Sequence, residues 1–323
     1  MSVIVPVRDN PAGVRALLER LDAQTLGPDR FEVVIGDDGS RPGSLAGVPT
    51  ADGRVRVVAG PPRTSYAARN RAAAAARGAV LAFIDSDCLP DARWLEEGLA
   101  ALEGADIVAG EVSFIPPARP TVWSLLTIDT FLDQERNVRR SRAVTANLLV
   151  RRGDFEAWGR FDPRLASGGD FEFVLQAVGR GARLAYAPRA VVYHRTLDDG
   201  RAFLRKVWRT NRWAGIRRAR AGYLVWLRSA LSVVPVLGVM LARREVLRPA
   251  RRLAHARLRA AGLTVGWRTE LRALAILYGL VGYVSSFARL CGWLASFRID
   301  GEEGCSALAR LSSDEAGARG RRG

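Results

Sequence analysis

Lysine and cysteine are both scarce in this chain, and each scarcity excludes a class of protein. Lysine occurs once among 323 residues, at Lys206, directly after an arginine. A Walker loop needs a lysine after its glycines, so that class of nucleotide hydrolase is excluded. The cysteines, Cys88, Cys291 and Cys305, are odd in number and far apart, which argues against a disulfide framework and a zinc cluster. We therefore expect the folded part in a reducing compartment.

Negative charge is scarce in only one part of the chain. Residues 1–200 hold 25 Arg and 26 acidic residues, whereas residues 201–323 hold 24 basic and only 7 acidic residues. All the excess positive charge therefore lies near the C-terminus, interleaved with apolar runs. That mixture favours an anionic membrane surface over a nucleic-acid groove, and no helix-turn-helix or aromatic stacking motif is evident. We expect a membrane surface, and no nucleic acid, among the partners.

Short apolar and β-branched runs alternate with helical patterns over the first 200 residues, which is typical of an α/β fold. Strands are predicted at residues 3–7, 31–35, 54–59, 79–84, 107–109, 112–115, 144–150, 183–186 and 191–193. Residues 116–144 have mixed polarity, and a mobile loop is one interpretation of them. Neither H-E-x-x-H nor G-x-S-x-G occurs, so zinc-protease and serine-hydrolase motifs are absent from the sequence.

The stretch Ala79 to Asp91 places two carboxylates directly after an apolar run. Asp85 and Asp87 are one residue apart where the predicted strand ends. At the carboxyl end of a parallel strand such a pair faces the crevice where open α/β sheets bind ligands. Hard oxygen ligands there suit Mg²⁺ or Mn²⁺. An ordinary acidic turn is the alternative, and the pair alone leaves both interpretations open.

Other polar residues follow predicted strands or begin predicted helices. Asp38 ends the second strand, where a ribose contact and a plain turn are both open. Arg69 and Asn70 lie early in an alanine-rich helix. They either contact a nucleotide or belong to a solvated face of that helix. Asp170 follows a glycine pair and is either functional or a helix N-cap. His194 follows the last predicted strand. It is either a structural residue or a metal ligand.

Six segments in order resemble the family 2 glycosyltransferases, which have the GT-A fold. They are VIVPVRDN, EVVIGDDGS, YAARNRAAAAARG, AFIDSDCLPD, SGGDFEF and AYAPRAVVYH, between about Ser2 and His194. The resemblance implies a Rossmann-like, mixed and mostly parallel sheet flanked by helices over residues 1–200. It also implies an inverting enzyme that moves a sugar from a nucleotide-diphosphate sugar to a hydroxyl acceptor. We expect that acceptor to be a lipid-linked or cell-envelope glycan.

The resemblance implies a role for each matching residue. The residues expected at the nucleotide are Asp9, Asp38, Arg69, Asn70 and Asp85. A divalent ion, Mn²⁺ or Mg²⁺, is expected on Asp87 and His194. Asp170 matches the catalytic base, normally the Asp of a Glu-Asp pair. Gly169 stands in place of that Glu, so Glu172 remains the alternative base.

The basic C-terminal part predicts three further segments. Residues 201–222 predict an amphipathic interface helix, residues 223–300 a hydrophobic, arginine-rich helical region on the membrane, and residues 301–323 a disordered tail. Two apolar runs in the middle segment are long enough to cross a bilayer. The nine arginines and two glutamates of residues 243–272 between them favour surface-lying or re-entrant helices. We therefore expect the protein at the cytoplasmic face of the cell membrane.

A non-catalytic nucleotide-sugar-binding or membrane scaffold protein that keeps the fold is the alternative function. The complete acid set, Asp38, Asp85, Asp87 and Asp170, favours the enzyme. A scaffold would not need all four carboxylates.

Overall fold

The computed structural model of this protein describes residues 1–50, 53–115 and 121–220, together with residues 276, 280–281, 284–292 and 295. Backbone contacts divide the chain into two units, and the second begins at Leu204. The first unit carries all the predicted site residues. Apart from the short pieces just given, the predicted segments 223–300 and 301–323 lie outside the described residues. The predicted domain bounds stay predictions.

An eight-stranded mixed sheet forms the centre of the first unit. Its strands are β1 (Ser2–Val7), β2 (Glu32–Asp37), β3 (Val55–Ala59), β4 (Val80–Ile84), β5 (Cys88–Pro90), β6 (Ile107–Ile115), β7 (Asn147–Arg151) and β8 (Leu184–Arg195). They lie in the order β3-β2-β1-β4-β7-β6-β8-β5. The first four are parallel, so β1, β2 and β4 end at one edge of the sheet. This mixed α/β sheet confirms the predicted fold class.

Eight α-helices lie between residue 1 and residue 220. They are α1 (Pro11–Asp22), α2 (Ser65–Ala75), α3 (Trp94–Glu103), α4 (Val122–Thr130), α5 (Gln134–Val138), α6 (Arg152–Ala157), α7 (Gly169–Gly179) and α8 (Gly200–Arg220), and Pro28–Arg30 form a short 3-10 turn. Helix α1 begins where the Asn10 side chain accepts a hydrogen bond from the Gly13 N–H. Its buried stripe of one valine and three leucines packs on the sheet.

The inner strands of the sheet are buried on both faces, which is why their sequences are continuous apolar runs. Every residue of β1 is buried, because helices cover both faces of a parallel sheet. A second part of the core is aromatic, where Phe83, Phe155, Phe161 and Phe173 stack at centroid distances of 5.0 to 5.3 Å. These rings join β4, α6 and α7 into one packed layer, so the helix that carries Asp170 rests on the sheet.

Two stretches that the sequence predicted as loops form a strand and two helices. Strand β5, within the predicted loop after Asp87, pairs with β8 in antiparallel fashion. The segment interpreted as a mobile loop contains α4 and α5. Helix α4 is held at its start by a reciprocal capping box between Thr121 and Ser124. Thr and Ser three residues apart were the missed signal.

Strands β6 and β8 are each continuous where the sequence predicted two strands. Their register shifts between Gly110 and Glu111, so that Gly110 faces Ala187 and Glu111 faces Val191. The irregularity is held by Asn147, whose buried Nδ2 donates to the carbonyl oxygens of Glu111 and Ala190, both at 2.8 Å. The polar residues between the apolar runs therefore mark a bulge rather than a loop.

The described part of the second unit contains the end of α8 and residues 284–292. The Trp208 and Phe287 rings lie 5.8 Å apart. Arg289, the one charge of a long apolar run, donates to Asn211 Oδ1 at 2.7 Å and to Ser286 Oγ at 3.1 Å. Among the residues described, no helix has both the length and the apolar character needed to cross a membrane.

Candidate active site

The loops after β1, β2 and β4 meet at one edge of the sheet. Asp9 has a left-handed backbone, with φ of 50°. Its N–H donates to Ser40 Oγ at 2.9 Å, and its carboxylate accepts from the Arg41 N–H at 2.8 Å, which lowers the pKa of Asp9. Asn10 donates to the carbonyl and hydroxyl oxygens of Ser86, at 3.3 and 3.1 Å. The three loops therefore form one hydrogen-bonded rim.

Asp38 connects this rim to the segment just before α2. Its N–H donates to the Val7 carbonyl oxygen at 2.8 Å, and its buried carboxylate accepts from the Arg63 N–H at 2.9 Å. The next residue, Gly39, has a positive φ, and a Cβ there would lie 2.6 Å from Pro62 Cδ. Glycine is required at this close approach. Asp9 and Asp38 thus belong to neighbouring loops, and their predicted nucleotide contacts stay predictions.

Asp85 and Arg69, both predicted at the nucleotide, bind each other. The Arg69 guanidinium pairs with the Asp85 carboxylate, and the Arg69 side chain is only 5% exposed. Its Nε has no hydrogen-bond partner within the described part of the chain. The guanidinium also lies over the Tyr66 ring, 5.4 Å from the centroid. A buried cation therefore lies beside the strand-end carboxylate, where it offsets the negative charge of Asp85.

Asn70 is engaged elsewhere. Its Nδ2 donates to the Phe161 carbonyl oxygen at 2.7 Å, and its Oδ1 accepts from the Phe161 N–H at 3.2 Å. Both atoms of the amide thus hold the segment after α6 against α2. The predicted nucleotide contact of Asn70 stays a prediction.

Asp87, Cys88 and His194 bring three ligand atoms within 4.8 Å of one another. Cys88 and His194 are direct partners in the β5–β8 pair, so their side chains share one face. His194 Nε2 lies 3.5 Å from Asp87 Oδ2, and Cys88 Sγ lies 4.0 Å from Asp87 Oδ1. The sequence prediction named Asp87 and His194 but missed Cys88, because it missed β5.

The hydrogen bond of the His194 ring prepares the other ring nitrogen as a ligand. Nδ1 lies 2.6 Å from the Arg195 carbonyl oxygen. A carbonyl oxygen only accepts, so Nδ1 carries a proton, and Nε2 is the ring nitrogen that lies towards Asp87. Metal-binding histidines are commonly oriented in this way. Carboxylate, imidazole and thiol donors together fit a divalent transition-metal ion.

Asp170 lies in the first turn of α7 and is 7% exposed. Oδ1 accepts from Tyr66 Oη and from the Phe171 N–H, both at 3.0 Å, and Oδ2 accepts from the Thr145 N–H at 3.2 Å. Burial raises the pKa of Asp170, and the Arg69 guanidinium opposes this rise. A carboxylate has about four acceptor positions. One position, on Oδ2, is therefore not used by these three donors.

The N-cap interpretation of Asp170 is wrong. The N-cap residue is Gly168, in a left-handed conformation and without a side-chain cap. Asp170 follows inside the helix, where its charge lies near the positive end of the helix dipole. Glu172, the alternative base, lies in the same first turn and is partly exposed.

Tyr66 is a second site residue, besides Cys88, that the sequence did not predict. It is buried in the first turn of α2, and its hydroxyl contacts both Asp170 and the Gly168 N–H. The available signal was its position three residues before Arg69, since residues three apart share one helix face.

Comparison with known proteins supports one family. The family model for glycosyl transferase family 2 matches residues 2–159. Glycosyltransferase AglE of Haloferax volcanii is 32% identical over 201 residues, which are 60% of this chain and 66% of that protein. The pre-mycofactocin glycosyltransferase of Mycobacterium tuberculosis is 29% identical over 205 residues, 60% of this chain and 42% of its own length. An O-antigen biosynthesis protein of Myxococcus xanthus, RfbC, is 28% identical over 62% of this chain and 18% of its own length.

Solved structures share the fold. S. aureus TarS 1-349 in complex with UDP-GlcNAc superimposes with a TM-score of 0.52, covering 93% of this chain and 91% of that one. The mannosyltransferase PcManGT of Pyrobaculum calidifontis, in complex with GDP-Man and Mn²⁺, superimposes with a TM-score of 0.56, covering 92% and 86%. Each is 18% identical in sequence, so the likeness concerns the fold alone.

The family model matches the N-terminal part of the chain. The chain spans less than two thirds of the length of the relatives it matches. The matched residues include β1 to β4 and the rim at their carboxyl ends. Through residues 2–159, this chain is similar to glycosyl transferase family 2.

Proposed function

We propose that this protein transfers a sugar from a nucleotide-diphosphate sugar to a hydroxyl acceptor, with inversion at the anomeric carbon. One observation carries the proposal: Asp87 and His194 lie 3.5 Å apart, beside the edge where β1, β2 and β4 end. A scaffold protein would have no need of this pairing. The glycosyltransferase names of two relatives and the family match support the same reaction.

The rim would hold the nucleoside part of the donor. Ribose hydroxyls donate hydrogen bonds to carboxylates, and Asp9 and Asp38 present theirs on neighbouring loops. Backbone N–H groups already hold both side chains, so little ordering is needed when a donor binds. Asp85 would act with Arg69, whose buried guanidinium adds positive charge near the diphosphate.

Asp87 and His194 would hold a divalent ion, with Cys88 as a neighbouring third donor. The mannosyltransferase PcManGT was solved with Mn²⁺, and we propose Mn²⁺ or Mg²⁺ here. When bound, such an ion neutralises the charge that develops on the diphosphate oxygens. The protein's own contribution is to present the Asp87 carboxylate, from the turn before β5, beside His194 Nε2 on β8.

Asp170 would act as the base. The acceptor hydroxyl donates its proton to Oδ2, and the oxygen electron pair forms a bond to the anomeric carbon. The bond from that carbon to the diphosphate oxygen breaks, and its electron pair leaves with the nucleoside diphosphate. Burial raises the pKa of Asp170, which makes the carboxylate a better proton acceptor. Attack opposite the leaving group inverts the anomeric centre.

A donor screen tests the proposal. Nucleoside diphosphate release is measured with UDP-, GDP- and dTDP-sugars, with Mn²⁺, Mg²⁺ or chelator, and with an added lipid extract as acceptor source. We expect turnover of at least one donor that is lost with chelator and in Asp87→Asn. The exposed Asp29→Asn is the matched control. A folded protein that neither binds nor consumes any nucleotide sugar would contradict the proposal.

We also propose that the acceptor is a lipid-linked or cell-envelope glycan, reached at the cytoplasmic face of the membrane. The relative named for O-antigen biosynthesis supports a glycan. The second unit supports a membrane surface, because arginines on α8 accompany the exposed ring of Phe287.

Vesicle sedimentation of the full chain tests the membrane surface. Binding to phosphatidylglycerol vesicles should exceed binding to phosphatidylcholine vesicles and should fall in Arg205→Glu/Arg209→Glu. The control Arg15→Glu/Arg20→Glu removes the same charge from α1 in the first unit. Equal binding to both vesicle types, or equal losses in both double variants, would contradict the proposed surface.

A further inference from the structure

Helix α2 brings an aromatic hydroxyl to the proposed base. Tyr66 Oη lies 3.0 Å from Asp170 Oδ1 and 3.1 Å from the backbone nitrogen of Gly168. The Gly168 N–H can only donate, and an ionised carboxylate can only accept. The single hydroxyl proton of Tyr66 must therefore point at Asp170. The direction of this buried hydrogen bond follows from its two partners alone.

The Tyr66 ring occupies space that a larger residue at position 169 would need. A Cβ built on Gly169 would lie 3.0 Å from the Cδ2 and Cε2 atoms of the Tyr66 ring. On its other side the ring packs against Phe161, at a centroid distance of 5.5 Å. The resemblance implies Glu where this chain has Gly169. The absence of that side chain makes room for the ring beside Asp170.

Tyr66 contacts both Arg69, the partner of Asp85, and Asp170. The Arg69 guanidinium lies over its ring at 5.4 Å and pairs with Asp85. Tyr66 and Arg69 are the charged or titratable groups that act on Asp170 from α2. Arg69 acts on Asp170 through its charge, whereas the hydroxyl of Tyr66 donates a hydrogen bond to it directly.

We propose that Tyr66 is a positioning residue for Asp170: its hydroxyl holds Oδ1, so that Oδ2 keeps one acceptor position for the substrate hydroxyl. This inference rests on the proposed function, in which Asp170 is the base. The hydrogen bond orients the carboxylate and stabilises its charged form, without contact between Tyr66 and the donor.

The pH dependence of kcat in Tyr66→Phe tests the inference with the full chain. Loss of one donor to the carboxylate raises the pKa of the base, so the acid limb of kcat should move to higher pH by about one to two units. The KM for the donor and the affinity for nucleoside diphosphate should not change. Gly169→Ala keeps the hydroxyl but presses on the ring, and it should shift the limb in the same direction by less.

Tyr186→Phe is the matched control. It removes another tyrosine hydroxyl that donates to a carboxylate, Glu111 Oε2 at 2.7 Å, and it should leave the acid limb unchanged. A Tyr66→Phe protein with lower thermal stability but a normal acid limb would overturn the inference. If Tyr66→Phe does not fold, an unshifted limb in Gly169→Ala overturns it instead.

Asp170→Asn separates this inference from the proposed function. Full turnover in that variant overturns both, because Asp170 is then not the base. Loss of turnover in Asp170→Asn together with an unshifted limb in Tyr66→Phe leaves the proposed function standing and overturns the role of Tyr66 alone.

Discussion

Asp87 and Asp170 are the same side chain in two different surroundings. The Asp87 side chain is 48% exposed and lies beside an imidazole and a thiol. Asp170 is almost fully buried and accepts three hydrogen bonds from neutral donors. The exposed Asp87 carboxylate is accessible to a cation, whereas burial raises the pKa of Asp170. The two proposed roles, metal ligand for Asp87 and proton acceptor for Asp170, therefore rest on the surroundings of each carboxylate and not on the residue type.

Removal of the buried carboxylate should have the largest effect. In Asp170→Asn we expect kcat to fall by about 10²- to 10⁴-fold, since an amide cannot take the proton of the acceptor. Binding of nucleoside diphosphate, measured by calorimetry, should be retained because Asp170 is not part of the rim. Glu172→Gln should keep most of its turnover. The opposite result for these two variants would transfer the role of base to Glu172.

Removal of the imidazole beside Asp87 should weaken metal binding. In His194→Asn we expect the affinity for Mn²⁺ to fall on the order of ten- to a hundredfold, because the prepared Nε2 lone pair is lost. Titration followed by electron paramagnetic resonance of free Mn²⁺ measures this directly. The neighbouring exposed Tyr193→Phe is the control. Unchanged Mn²⁺ affinity in His194→Asn would place the ion elsewhere.

The attachment of α2 to the segment after α6 should depend on Asn70. Asn70→Ala removes two hydrogen bonds to Phe161, and we expect a loss of about 1–3 kcal/mol in the free energy of unfolding. Denaturant unfolding measures this loss. A fall in nucleoside diphosphate affinity at unchanged stability would instead support the nucleotide contact that the resemblance implies.

The pH dependence of stability should have opposite signs at two aspartates. Burial raises the folded-state pKa of Asp170 above 3.8, so its contribution to the free energy of unfolding falls as pH rises from 3.8 to that raised value. Hydrogen bonds from Arg183 lower the pKa of Asp106, so its contribution is present above 3.8 and is lost as pH falls through the lowered value. Denaturant unfolding of Asp170→Asn and Asp106→Asn across the acid range should therefore show opposite slopes relative to wild type. Equal slopes would contradict the assigned surroundings.

Much of the fold was predictable because the signals were local. The buried strand β1 follows from an apolar, β-branched run, and its bounds agree with the predicted residues 3–7 to within one residue. The buried stripe of α1 likewise follows from apolar residues at helical spacing. Strand β5 was not predictable in this way. It has three residues, one of them a proline, and it exists as a strand because β8 pairs with it. Short strands owe their structure to a partner that local sequence does not reveal.

The candidate site divides in the same way. The sequence by itself determined which carboxylates end the strands, since apolar runs stop at Asp38 and Asp85, and the family resemblance named Asp87, Asp170 and His194. Only the tertiary structure decided which groups meet. The β5–β8 pair brings Cys88 opposite His194, and the packing of α2 on the segment before α7 brings Tyr66 to Asp170 across 104 positions. Local patterns record which face of an element is apolar, but contacts between distant segments depend on how the whole sheet and its helices pack.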